Sequence, residues 1–438
     1  MLEPHYGEVL YHFYQQDYFS AIVKLLAAKR QRQLSYHETE AELLLAGLYL
    51  AYGLHKKAQP IFQRLLQGEP RAVRNRAWYL LAEMSYRRNY RVAAEVALKQ
   101  ITVVSDLEKV GSEWQAKGRL LLAQIQSQTG RGKQALQTLS GMWPEMYARY
   151  AVYNRAMIGF SLKKKQALQQ LQDLAALSVQ NSEQTALQDR ANLSLALFYL
   201  REKNNRAAEK ALLKVSLTGL HSNRALLALG WSRLHQKRYA AALSPWLQLS
   251  ERSADDLAVQ EVWLAIPELL MQWQKPARAA EYYQQAVAHL QQSSEQLEQT
   301  RLLLRDDEWL LDLSVLAEIQ GHYGLPHLLA SHDLQESLWD YRELSQLEDN
   351  LQQWRKKIIE LKEFAEKPAE EMSLQNLQQR LLSISNRLQS LLPKWRNYVK
   401  QLAARQLQKQ AARLQSLIQQ AKLARAESLE RVKGESLP

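Results

Sequence analysis

Residues 224–231 read RALLALGW, and this stretch decides the fold of the chain. It holds three leucines, a glycine and a tryptophan at helical spacing, and Tyr239, Ala242 and Trp246 follow after a short gap. Apolar residues that recur every three or four positions predict two consecutive helices joined by a turn. The small residues allow the paired helices to approach closely, while the large ones fill the grooves between them.

The same order of residue sizes returns roughly every 34 to 40 residues, which is the spacing of helical repeats. The best further copy consists of Leu45, Ala46, Tyr49, Gly53, Ala58, Phe62, Leu65 and Pro70. Weaker copies begin near Trp78, Leu122, Leu195 and Trp263. One such unit cannot bury its apolar face alone, so the pattern predicts about eight helix pairs stacked into a solenoid over residues 1–290.

At these residues the sequence resembles the tetratricopeptide repeat (TPR) family, over roughly residues 3–290. The resemblance implies an all-α fold in which a right-handed helical solenoid presents the first helix of each pair on a concave face. It also implies a protein that binds proteins or peptides and helps to assemble complexes. Pro267, at a small-residue site, and Pro276, in a turn, depart from the family pattern.

The composition narrows the class of protein. The chain has 438 residues, 46% of them hydrophobic, and a formal net charge of +12. It has no cysteine, which excludes disulfides, thiolate metal sites and a cysteine nucleophile. No apolar run reaches the roughly 18 residues of a membrane span. The net positive charge favours acidic binding partners.

The first residues bear on localisation. Residues 4–11 read PHYGEVLY, which is similar to the mature start of exported TPR proteins of Gram-negative bacteria. This similarity leads us to expect a periplasmic or envelope-associated protein whose signal peptide was replaced by Met1. The alternative is a cytoplasmic protein that begins as written.

A different pattern begins after about residue 334. Apolar residues there step by three and four, first from Leu344 to Ala365 and then from Leu374 to Leu402, with a proline-bearing break at 366–370. This heptad spacing predicts an antiparallel helical hairpin or coiled coil over residues 334–438, after a connecting helix and loop at 291–333. We expect this hairpin to dock on the solenoid, to oligomerise or to engage a second partner. We expect the repeat region to fold without it, unless the hairpin caps the last repeat.

The second hairpin helix is unusually basic, with ten Lys or Arg residues and no acid from Met372 to Ala426. Arg405, Lys409 and Arg413 form a stripe at four-residue spacing. One interpretation is that this helix pairs with the acidic helix before it. The other is a surface for an acidic protein, lipid headgroups or nucleic acid. Nucleic acid is the least favoured partner, because the nearby aromatic residues lie on the heptad seam, where they cannot stack on bases.

A second candidate surface is the groove that the resemblance implies. The second position of the repeat frame falls on four basic residues, Arg76, Lys117, Arg190 and Arg224. Their predicted neighbours are Tyr79, Tyr86, Trp231 and His235. A basic column at repeat spacing would bind carboxylates of an acidic peptide through charge-assisted hydrogen bonds. The alternative interpretation is that these are the solvated charges common at helix starts.

No motif in the sequence indicates catalysis. Residues 130–133 read GRGK, but they lack the spacing of a phosphate loop and the Ser or Thr after the lysine. We therefore predict a non-enzymatic scaffold or adaptor without cofactor or metal, which binds a protein or peptide in the solenoid groove. The alternative is a nucleic-acid or anionic-polymer binding protein that uses the basic C-terminal helix.

Overall fold

A computed structural model describes residues 3–14, 18–34, 38–51, 55–68, 71–87, 90–101, 113–164, 166–311, 323–363 and 368–435. Within these ranges all regular structure is helical. The predicted all-α fold is therefore confirmed. The residues form two compact units, Met1–Leu195 and Ala196–Pro438.

The first unit is a series of helices joined by short connections. They are α1 (Pro4–Tyr14), α2 (Tyr18–Arg30), α3 (Glu38–Ala51), α4 (His55–Gly68), α5 (Arg71–Arg87), α6 (Arg91–Lys99), α7 (Glu113–Gln128), α8 (Gly132–Thr138), α9 (Glu145–Ser161), α10 (Gln166–Ala176) and α11 (Ser182–Arg201), the last of which ends in the second unit.

These helices pack as pairs, with an inner layer made by the first helix of each pair. Each odd-numbered helix from α1 to α9 contacts its even-numbered successor, and α3, α5, α7 and α9 also contact one another in sequence. Alanines at the predicted small sites of this layer are fully or almost fully buried, among them Ala46, Ala82, Ala123 and Ala156. The predicted packing of small against large residues is thus what brings the helices together.

The second unit continues the pairs and adds the hairpin. Its helices are α12 (Asn205–Leu212), α13 (Ser222–His235), α14 (Tyr239–Ser250), α15 (Leu257–Gln272), α16 (Pro276–Leu303), α17 (Glu308–Leu311), α18 (Leu325–Leu329), α19 (His332–Glu363) and α20 (Pro368–Glu435). The RALLALGW stretch lies on α13, where Gly230 leaves room for the fully buried Trp246 of α14. The indole N–H of Trp246 donates to the carbonyl of Leu227 at 3.0 Å.

The turns inside five successive pairs share one backbone geometry. Each contains one residue with positive φ, and these residues are Gly130, Lys163, Lys203, Lys237 and Gln274. The amide that follows each of them bonds back to the carbonyl five residues earlier, as Arg238 does to Arg233 at 3.0 Å. This bond is the mark of a Schellman motif, which ends the first helix and satisfies its last carbonyls.

The predicted antiparallel hairpin is formed by α19 and α20. Across it the hydroxyl of Ser385 donates to the carboxylate of Glu348 at 2.8 Å, and Lys362 donates to Gln378 at 2.6 Å. The hairpin does not stand apart from the repeats, because the second half of α20 lies along α16. Apolar residues of α20 there join the same core as Leu290 and Leu297, namely Val399, Ala403, Leu407, Leu414, Ile418 and Ala421.

An ionic contact accompanies this docking at the end of α16. Asp307 accepts from Lys400 at 2.6 Å and from Arg396 at 3.0 Å. The hydrogen bond from Lys400 is the main reason that the pKa of Asp307 lies below its ordinary value. Of the three roles considered for the hairpin, the structure shows docking on the last helix pair.

The division at residue 290 remains a prediction, and the structure groups the residues differently. Residue 290 falls inside the continuous helix Pro276–Leu303, and the compact units meet at Leu195 and Ala196. The repeat signal ends near Ala286 while the helix runs on. Because α20 supplies part of the core around α16, the structure favours the alternative in which the hairpin caps the last repeat.

Candidate functional site

The predicted groove residues lie on first helices of the pairs, but in both compact units. Arg76, Tyr79 and Tyr86 lie on α5, Lys117 on α7 and Arg190 on α11, all within the first unit. The other three, Arg224, Trp231 and His235, lie on α13 of the second unit. The two sets are therefore described separately.

An aromatic platform occupies the inner layer of the first unit. The indole ring of Trp114 on α7 lies beneath two cations, with the Arg76 guanidinium 5.4 Å and the Lys117 ammonium 4.6 Å from the ring centroid. The Tyr79 ring lies 5.5 Å away at a tilted angle. Cations at these distances are attracted by the negative face of the ring. The contacts hold two charged groups beside a half-buried apolar surface.

An acid within the platform offsets part of its charge. Glu113 pairs with Lys117 at 2.6 Å, and the hydroxyl of Tyr147 on α9 donates to the same carboxylate at 3.5 Å. The hydrogen bond to Glu113 raises the pKa of Lys117, and the same bond lowers the pKa of Glu113. Lys117 is therefore an internal partner of Glu113, and Arg76 is the more exposed cation of the two.

Tyr86 forms a second link between α5 and α7. Its phenol oxygen accepts from the side-chain amides of Gln124 at 2.9 Å and Gln128 at 3.0 Å. These amides lie one helical turn apart, so one face of α7 presents polar groups to the phenol. Tyr86 thus continues the layer with hydrogen-bonding groups.

A third set of contacts joins α9 to α11. Tyr150 donates to Glu183, and burial together with this bond raises the pKa of Tyr150 to about 12. The Arg190 guanidinium lies 4.9 Å from the centroid of the buried Tyr153 ring. The Arg190 side chain is exposed, so its charge is available at the surface of the layer.

In the second unit Trp231 is the centre of the predicted set. Its ring meets Trp246 edge-on at 4.9 Å between centroids and stacks over His235 at 6.3 Å. Its indole N–H donates to Glu261 on α15 at 3.2 Å. Arg224 is exposed and directly precedes the buried Ala225 and Leu226 of α13. Trp231 therefore packs partly as a core residue and partly as a surface residue.

Sequence reasoning missed several members of the inner layer. They are Glu113, Trp114, Tyr147, Tyr150, Tyr153 and Glu183. Trp114 carries a signal that was available, since it precedes Lys117 by three positions and so shares its helical face.

The basic stripe on α20 lies at the surface. The side chains of Arg405, Lys409 and Arg413 are all exposed, whereas Leu407 and Leu414 on the same helix face the core. None of the helices in the described ranges combines the length and the apolar character of a membrane span.

No protein-family model matches the sequence, and no curated protein matches it significantly. Solved structures with a similar fold include apo RapI, with 13% identity, a TM-score of 0.44 and coverage of 74% of this chain and 93% of that one. The P58(IPK) TPR domain has 14% identity, a TM-score of 0.22 and coverage of 65% and 92%. Yeast Tom70 has 11% identity, a TM-score of 0.22 and coverage of 89% and 97%. This likeness concerns the TPR-like helical fold alone.

Proposed function

We propose that this protein is a non-enzymatic scaffold that binds an extended segment of a protein partner on the inner helix layer. The platform made by Arg76, Trp114 and Lys117 carries the proposal. It combines an apolar ring with cations at 5.4 and 4.6 Å on the layer formed by the first helices. Such a surface suits a peptide that alternates apolar side chains with carboxylates.

The other contacts of the layer define the chemistry of the partner. Arg190 offers a second exposed cation, and Tyr86 and the two glutamines of α7 offer hydrogen bonds to a peptide backbone. The acids Glu113 and Glu183 make the layer mixed in charge rather than uniformly basic. A partner with separated carboxylates is therefore favoured over a continuous polyanion.

Arg224, Trp231 and His235 form a separate candidate surface within the second unit. The bound protein belongs to a multiprotein complex of the bacterial envelope. The envelope assignment rests on the similarity of residues 4–11 to the mature start of exported TPR proteins. Cell fractionation tests it, since recovery of the native protein in the cytoplasmic fraction would contradict it.

The binding test compares two triple variants of the full chain. A partner is first identified by pull-down from native extract and purified, and its affinity is then measured by calorimetry. The variant Arg76→Gln, Arg190→Gln, Arg224→Gln removes three cations and keeps polar side chains. We expect the affinity to fall by about 1.5 to 3 kcal/mol for each well-formed contact that is lost.

The matched control removes the same number of charges from α20, as Arg405→Gln, Lys409→Gln, Arg413→Gln. We expect this variant to keep its affinity for the partner. If it loses the partner while the inner-layer variant retains it, the basic helix is the functional surface. Binding to DNA or polyphosphate with a steep salt dependence would then support the alternative of an anionic-polymer binding protein.

A further inference from the structure

The tip half of the hairpin carries a regular column of exposed apolar side chains on α20. Leu377, Ile384, Leu391 and Tyr398 are each seven residues apart, and they are 45%, 44%, 41% and 47% exposed. A step of seven residues returns a helix to almost the same side, with a drift of about 20°. The four side chains therefore form one seam along the helix, which we call the outer seam.

Cations alternate with the apolar residues of the outer seam. Arg380, Arg387 and Lys394 each follow an apolar residue by three positions, and all three side chains are exposed. Residues three and four apart are neighbours on a helix surface, so these cations lie along the same face. The outer seam thus has the heptad spacing of a coiled-coil surface, with one apolar position and one basic position per repeat.

The neighbouring helix α19 adds a further exposed apolar side chain. Its Trp354 is 43% exposed, and the ammonium of Lys357 lies 5.5 Å from that ring. The bonds from Ser385 to Glu348 and from Lys362 to Gln378 define the antiparallel pairing, and Trp354, which lies between Glu348 and Lys362, falls opposite residues 378–385.

Trp354 and the outer seam lie along the same edge of the hairpin. Leu351 and Ile358 of α19 are buried, as are Ser385 and Leu388 of α20, so these residues mark the faces that pack together. On a helical wheel drawn at 100° per residue, Trp354 and the outer seam each lie at a smaller angle than the packed face of their own helix. Antiparallel helices turn in opposite senses when viewed from one end, and equal displacements therefore lie on the same side. Trp354 and the outer seam together form the apolar floor of a groove along this edge, which we call the hairpin groove.

We propose that the hairpin groove binds an acidic amphipathic helix of a protein partner, which completes a three-helix coiled coil. The distance from Leu377 to Tyr398 corresponds to about 31 Å, or three heptads of a partner helix. Four cations, Arg380, Arg387, Lys394 and Lys357, lie beside its floor, and α20 has no acid from Met372 to Ala426. Charge complementarity therefore selects glutamate or aspartate at the flanking positions of the partner.

Other occupants fit these observations less well. A second copy of the chain would bring the same four cations against each other across a symmetric interface. A membrane surface favours a wide apolar face. The outer seam instead presents one large apolar side chain per heptad. The inference goes beyond the proposed function, since it concerns none of the residues of the inner helix layer.

The test uses the full-length protein and a synthetic 21-residue peptide with leucine and isoleucine at its heptad core positions and glutamate at the flanking positions. A shuffled peptide of the same composition, without the heptad, is the reference. We expect the heptad peptide to bind at least about tenfold more tightly in fluorescence anisotropy. Leu391→Glu and the triple variant Arg380→Gln, Arg387→Gln, Lys394→Gln should each weaken that binding at least about tenfold.

Two variants outside the hairpin groove serve as controls. Arg405→Gln, Lys409→Gln, Arg413→Gln removes three charges from the same helix, and Leu423→Glu changes an apolar side chain that is 67% exposed. Both should bind the peptide as the unaltered protein does. Circular dichroism and thermal melting check that all variants are folded, and Ile384→Glu replaces Leu391→Glu if the latter fails to fold.

Several outcomes would overturn the proposal. Equal binding of the shuffled peptide, or equal loss in the control triple variant, would show general charge attraction. A dimer of the unaltered protein in ultracentrifugation that Leu391→Glu converts to a monomer would assign the groove to a second copy. Binding to phosphatidylglycerol vesicles that Leu391→Glu abolishes would assign it to a membrane. Variants of Arg76 and Arg190 should leave peptide binding unchanged, which separates this test from that of the inner layer.

Discussion

At the scale of single residues, Gly230 packs closely against Trp246. A Cβ atom at Gly230 would lie 2.0 Å from the indole nitrogen, and Trp246 is fully buried. Gly230→Ala must therefore displace a side chain that has no free space. We expect it to lower the free energy of unfolding by about 1 to 3 kcal/mol, measured by urea unfolding.

Gly47 on α3 provides the matched control, because a Cβ there meets no atom within 4 Å. Gly47→Ala should leave stability unchanged or raise it by up to about 1 kcal/mol through helix propensity. In a double-mutant cycle, Trp246→Leu should relieve part of the cost of Gly230→Ala. If Gly230→Ala and Gly47→Ala changed the free energy of unfolding equally, the close contact between Gly230 and Trp246 would be contradicted.

A second prediction at this scale concerns the stability of the first unit at low pH. Glu95 on α6 accepts two hydrogen bonds from Arg131, at 2.8 and 2.6 Å, and pairs with Lys99. These bonds, that of Arg131 foremost, lower the pKa of Glu95 from 4.5 to about 2. A lowered pKa in the folded state means that the contribution is complete above pH 4.5 and is lost as the pH falls toward 2.

Glu95→Gln should therefore reduce stability at pH 7 by on the order of 1 to 3 kcal/mol and flatten its dependence on pH between about 4.5 and 2. The exposed pair of Glu298 with Arg301 is the control, since Glu298→Gln should change neither quantity measurably. Parallel pH profiles for Glu95→Gln and the unaltered protein would contradict the prediction. The same geometry explains the GRGK stretch, in which Arg131 is a structural partner of Glu95.

At the scale of elements, periodicity predicted the helix pairs but not the form of their turns. Large and small residues must alternate for two helices to pack closely, so the pattern is visible in the sequence. Schellman turns usually carry glycine at the left-handed position, and among the five turns described above only the one with Gly130 follows that rule. Lysine or glutamine at the other four positions gives no such signal, because the turn is held by the helices on either side.

The non-glycine turns lead to a prediction about stability. Lys237 has a φ of 58°, which costs a residue with a Cβ about 1 kcal/mol, and its side chain is exposed. Lys237→Gly should therefore raise the free energy of unfolding by up to about 1 kcal/mol. Lys210→Gly, within the helix Asn205–Leu212, should lower it by a similar amount. A loss of stability in both variants would show that the turn is not strained.

At the scale of the whole molecule, the sequence predicted which faces are apolar but not always what covers them. The heptads of residues 334–438 predicted the hairpin, yet α16 and α20 meet through side chains far apart in the chain. The inner layer shows the same limit. Arg76 and Arg190 lie on first helices as predicted, but the sequence analysis overlooked the pairing of Lys117 with Glu113, although their four-residue spacing on one helix favours it.

The docked hairpin gives the last prediction, that α20 caps the final helix pair of the second unit. Leu414 of α20 is 1% exposed and belongs to the same core as Leu290 and Leu297 of α16. Leu414→Glu should destabilise the second unit by several kcal/mol, since it places a charge in an apolar contact. Leu423→Glu, at an exposed position of the same helix, should change stability by less than about 0.5 kcal/mol.

Deletion of residues 334–438 extends this argument from one side chain to the whole cap. The deletion exposes Leu290 and Leu297, and an uncovered apolar end makes a solenoid prone to aggregation. We expect the truncated protein to form soluble aggregates or precipitate, as size-exclusion chromatography would show. A monomeric truncated protein that melts at the temperature of the full chain would refute the cap, because the repeats would then bury their own end. Polar substitution of both leucines should restore solubility to the truncated protein if their exposure is the cause.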